Sequence, residues 1–125
     1  MRDSPQRSNL PESHEIVLSF SGGNGADLTL VEGLGVSATC VRTGEGAYDL
    51  KIAGGNPGEF KGWTPSFGAA TPADVAGHTA VRDDAVAWDG TVWKLPFVIY
   101  NSSFAADDLL VNEYFDVVLR FGMKQ

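Results

Sequence analysis

The chain has two histidines, His14 and His78, and one cysteine, Cys40. A metal site built on His78 with Asp74, Asp83 or Asp84 would need ligand spacing such as His-x-x-x-His, and none accompanies it. The acidic pairs Asp83-Asp84 and Asp107-Asp108 lack the Asp-x-Asp-x-Asp-Gly run that delivers several oxygens to one calcium ion, so both read as solvated turn carboxylates. Cys40 sits between Thr39 and Val41, where a small buried thiol is the ordinary reading. Ser19-Phe20-Ser21-Gly22-Gly23 holds serines without the Gly-x-Ser-x-Gly spacing of a nucleophile elbow. Gly33-Leu34-Gly35-Val36-Ser37-Ala38 has the spacing of a dinucleotide-binding turn. That chemistry needs a helix N-terminus against the pyrophosphate, and the β-branched VSATCVRTG that follows excludes one. The glycines are read as a strand connection. Asn101-Ser102-Ser103 fits a glycosylation sequon and reads more simply as a turn. The expectation is a protein that is not an enzyme and carries no cofactor and no metal.

The elements that would position these residues are strands. Residues 15–21 (EIVLSFS) are β-branched and aromatic and end at Gly22-Gly23-Asn24-Gly25. A second strand is expected over 27–31 and a third over 36–42, closed by Thr43-Gly44-Glu45-Gly46. Residues 47–53 alternate, with Tyr48, Leu50 and Ile52 on one face and Asp49 and Lys51 on the other, as a half-buried strand requires. Within the Gly/Pro-rich segment 54–79, residues 59–69 read as an edge strand because Pro65 cannot donate a ladder bond. A loop follows over 71–77, with a short helical turn after Pro72. Asp89-Gly90 between AVAW and TVWKLPFVIY predicts a two-residue type I′ hairpin that pairs Trp88 with Thr91 and Val86 with Trp93. Period two then puts both tryptophans with Leu95, Phe97 and Ile99 on the core face, and Pro96 implies an edge or a bulge. The last strand, 113–122, points Phe115, Val117, Leu119 and Phe121 inward and Tyr114, Asp116, Val118 and Arg120 outward. Seven or eight short strands without helices between them give an all-β fold, an antiparallel β-sandwich or barrel.

At 125 residues with a net charge of −7, the chain suits one domain and lacks the basic footprint a general nucleic-acid binder needs. No apolar run reaches the roughly 18 residues of a membrane span. Residues 1–14 lack both apolar periodicity and the apolar region of a secretory signal. Arg2 and Arg7 there nearly balance Asp3 and Glu12. They read as an extended N-terminal arm before a single domain over 15–125. Trp63, in the irregular segment, reads as the tryptophan free to anchor a protein contact.

Two segments carry a resemblance. Val41-Arg42-Thr43-Gly44-Glu45-Gly46-Ala47-Tyr48-Asp49-Leu50 resembles the V-R-T-G-x-G-x-Y segment of small tailed-phage virion proteins, and Val117-Val118-Leu119-Arg120 is similar to their closing strand. The pair resembles phage capsid decoration (cement) proteins and related β-sandwich virion modules. This implies a jelly-roll-like sandwich, assembled as a homotrimer, that binds the capsid exterior and bridges major capsid subunits. Such a protein is made in the bacterial host cytoplasm and needs no nucleic acid or membrane. Val98, Tyr114 and Val118 would then be trimer contacts, and Arg2, Arg7 and Leu10 contacts of the arm. A second reading is a trimeric head of the complement-C1q or tumour-necrosis-factor type, or a tail-tip module recognising a host surface.

Overall fold

Alternating burial runs through nearly every strand of the computed structural model, which describes residues 14–33 and 36–122. In chain order the strands are β1 (His14–Ser21), β2 (Thr29–Glu32), β3 (Ser37–Gly44), β4 (Ala47–Ala53), β5 (Glu59–Ala69), β6 (Thr79–Arg82), β7 (Ala87–Trp88), β8 (Val92–Tyr100) and β9 (Glu113–Gly122). A 3₁₀ turn over Pro72–Val75 lies between β5 and β6, with proline at its start as expected. β6 is the strand the sequence reading does not assign. Its four residues carry too short an alternation to stand out from the loops beside them. β1 begins at His14, one residue inside the segment read as the arm. Residues 1–13 lie outside the described residues.

The strands form two antiparallel sheets. The first has the order β2–β1–β9–β5, the second β3–β4–β8–β6, with β7 also paired to β8. Successive strands repeatedly change sheet, from β2 to β3, β4 to β5, β5 to β6 and β8 to β9. The triplets β1–β9–β5 and β4–β8–β6 therefore face each other as in a jelly-roll sandwich. β5 is an edge strand, as Pro65 demands.

The core lies between the sheets. Leu18 and Phe20 of β1 and Phe115, Val117, Leu119 and Phe121 of β9 meet Leu50 and Ile52 of β4 and Trp93, Leu95, Phe97 and Ile99 of β8. Ring contacts join the layers: Phe97 stacks on Phe115 with centroids 4.9 Å apart, and Trp93 meets Phe121 edge-on at 5.1 Å. Each such buried side chain contributes roughly 1.5–3 kcal/mol relative to exposure. That gain fixes which parity of each strand turns inward.

Two expectations about β8 change. The hairpin pairs Trp88 with Trp93 and Ala87 with Lys94, so the turn centres on Gly90-Thr91 rather than Asp89-Gly90. Asp89 accepts the N–H groups of Thr91 and Val92 at 2.8 Å. Of the two central residues only Gly90 has positive φ, at 99°, whereas a type I′ turn needs both. Each partner moves by two residues, so the faces are preserved and both tryptophans still turn toward the core. Pro96, for its part, lies in an inner strand. β6 pairs with β8 up to Phe97 and β7 takes over at Lys94. Between them the Asp83 N–H donates to the Pro96 carbonyl at 3.0 Å. The missing N–H of Pro96 points to that same side, into the break between two short strands.

Candidate functional site

The connections gather at two ends of the sandwich. One end, called here the Gly46 end, carries the β1–β2, β3–β4, β5–β6 and β8–β9 connections. The β7–β8 turn, the β4–β5 loop and both outer limits of the described chain lie at the other.

The most built feature is at the Gly46 end. Asp108, in the loop of residues 101–112, receives the Arg42 guanidinium in a two-pronged pair, Nε to Oδ1 at 3.0 Å and Nη2 to Oδ2 at 2.9 Å. The Gly46 N–H donates to Oδ1 at 2.8 Å and the Tyr48 hydroxyl at 3.2 Å. The Arg42 hydrogen bond, with those from Gly46 and Tyr48, holds the Asp108 carboxyl below its usual range. Burial, then the Asp108 charge, pushes the Tyr48 phenol up. Asp108 is only 16% exposed, so the solvated-turn reading of the Asp107-Asp108 pair fails for this residue. Its partners lie on the β3–β4 hairpin, far away in sequence, which spacing does not reveal.

The β1–β2 connection holds the same loop and the start of β9. Gly22 N donates to Glu113 O at 2.8 Å, Asn24 N to Leu109 O at 3.1 Å, and Val111 N to the Asn24 side chain at 3.1 Å. Leu109 plugs the end of the core, fully buried. Asn101 closes a tight turn: its Oδ1 accepts from Ser103 N at 2.8 Å and Ala105 N at 3.2 Å, and its backbone pairs with Phe104 and Ala105. This is the turn expected after β8. At its tip Phe104 is 84% exposed with φ 63°, a conformation in which a bulky side chain is a clear outlier.

The sequence-predicted contact residues do not converge. Trp63 is half-buried, its ring against Phe97 at 5.7 Å and Phe115 at 6.4 Å, so much of it is spent inside the sandwich. Tyr114 and Val118 are half-buried on the outer face of the first sheet, where Val118 lies opposite exposed Val17. Val98 is half-buried on the outer face of the second sheet, opposite exposed Val81. The three do not share one patch of the chain. Arg2, Arg7 and Leu10 lie outside the described residues.

His78 has a side chain only 6% exposed, its Nε2 4.0 Å from Asp107 Oδ2 and its ring 5.7 Å from Phe67. It does not gather Asp74, Asp83 or Asp84, and among the described residues no three or more His, Cys, Asp or Glu side chains are grouped to hold a metal ion. Cys40 is buried in β3, and burial, then Asp27 and Asp49, pushes its thiol well up. Among the described residues no helix is long and apolar enough to cross a membrane.

No family model, curated protein or solved structure matches the chain.

Proposed function

We propose that the chain is a structural binding protein of the virion, decorating the exterior of a tailed-phage capsid and bridging major capsid subunits. One observation carries the reading. Arg42, Gly46 and Tyr48, the residues of the VRTGEGAY segment with the most constrained chemistry, all bind Asp108 and hold one loop against a jelly-roll-like sandwich. The segment that resembles virion proteins thus does architectural work, as a cement protein needs. Such a protein stabilises by mass action, because it binds the assembled shell and not its dissociated parts.

A homotrimer belongs to the same proposal. With Val98 on one outer face and Tyr114 and Val118 on the other, a ring would set unlike faces of neighbouring chains together, a heterologous contact that closes at one third of a turn. The direct test mixes purified protein with capsid shells assembled without it and images them. Density at the capsomer joints is expected, and shells that stay bare would sink the proposal. Sedimentation of the free protein reports whether the trimer forms before docking.

A further inference from the structure

We infer that the Gly46 end is the docking surface and that Phe104 is its anchor, entering an apolar pocket with a basic rim on the partner protein. The inference rests on the binding role proposed above and deepens it by naming the contact.

An aromatic ring almost wholly in water is unfavourable, and here it sits on a left-handed backbone position that glycine would occupy freely. Among the described residues nothing in the fold benefits from that placement. Strain of this sort clusters where a side chain must be presented. The presentation is also rigid: Asn101 fixes the turn and Asp108 ties the loop to β3 and β4. The ordering cost of a contact is thereby largely met before the partner arrives. The same loop exposes Leu110 (51%) and Val111 (58%), further apolar surface at this end of the sandwich.

Charge identifies the occupant. Asp27, Glu45, Asp74 and Asp107 lie at this end. Among the described residues, Arg42 is the only Lys or Arg there, and it is engaged by Asp108. Lys51, Lys61, Lys94 and Arg120 lie toward the opposite end. An acidic rim around an apolar tip fits a basic protein surface, whose charges also steer the encounter.

The test measures co-sedimentation with capsid shells assembled without the protein, for the wild-type chain, Phe104→Ala and Phe104→Gly. Both variants are expected to bind at least about tenfold more weakly, as loss of an interfacial anchor does. Phe104→Gly should meanwhile melt at an equal or higher temperature, which separates lost contact from lost fold. Wild-type binding should weaken as salt rises. If wild-type and Phe104→Gly bind equally well, the docking surface is wrong and the decoration role stands. If the wild-type chain itself ignores the shells, the decoration role falls and this surface with it. Self-association that disappears in Phe104→Ala would make a second copy the occupant and overturn the basic partner.

Discussion

Asp108 grips Arg42 across two parallel hydrogen bonds of 3.0 and 2.9 Å, although 66 residues separate them. Both oxygens are engaged, and Oδ1 also takes the Gly46 N–H and the Tyr48 hydroxyl. The pair joins the last long loop to the second sheet, so its strength should be legible in that loop's behaviour.

Acidification should loosen this clasp. The Asp108 carboxyl is held below its ordinary value in the folded chain. The unfolded chain therefore binds the proton more readily, and stability rises with pH through that range. The contribution is complete above the unfolded value of about 4 and is lost as pH falls through the folded one. Protection factors for amide hydrogen exchange across residues 101–112, taken relative to the slower intrinsic exchange of acid solution, should fall at low pH, and Asp108→Asn should flatten that dependence. An identical acid profile in the variant would assign the slope to other carboxylates.

Gly46 leaves no space for a side chain. Its φ is 70°, and an added Cβ would lie 2.5 Å from Asp107 N and 2.9 Å from Ile99 O. Gly46→Ala is expected to destabilise by about 2–4 kcal/mol, combining backbone strain with the displaced neighbours. Urea unfolding measures it; an unchanged midpoint would contradict the close approach.

Phe104→Gly should act in the opposite direction on the free protein. Relief of the left-handed conformation is worth about 1 kcal/mol, less the added freedom of glycine in the unfolded chain. Phe104→Ala keeps the strained backbone and should change stability by under about 0.5 kcal/mol. Thermal melts of the three chains distinguish strain from packing.

Cys40 should be chemically silent in the folded chain. Burial keeps its thiol protonated, and only the thiolate is nucleophilic. A thiol-specific reagent at mildly alkaline pH is expected to label it at the rate of unfolding, and rapidly in denaturant. Prompt labelling of the native protein would place the thiol at the surface.

The sequence read best where burial imposed a period. β4, β5 and β9 begin and end where alternation and turn residues put them, because a one-residue slip would turn Leu50 or Phe115 outward. The β7–β8 turn was less legible. Asp89 can flank the turn or sit within it, and the Trp88–Trp93 pairing decides between them. β6 was missed because its pairing with β8, not its own pattern, makes it a strand. The Asp108 cluster was hidden for a related reason. Arg42, Gly46 and Tyr48 were visible as a motif, but the carboxylate they share comes from another part of the chain. Phe104 gave no sign in sequence, since exposure and a left-handed φ arise only once Asn101 has closed its turn.

β9 lies between β1 and β5. The middle of the first sheet is therefore supplied by the last of these nine strands to be synthesised, and until it emerges β5 has no ladder partner in that sheet and β1 has only β2. The β3–β4 hairpin is complete much earlier and depends only on local contacts. Synthesis should pass through a stage in which the second sheet can form while the first lacks its central strand, leaving an apolar face open to chaperones. Pairing β9 with β1 joins residues as distant in sequence as Val118 and Val17, a high-contact-order step expected on the slow, millisecond-to-second side of folding.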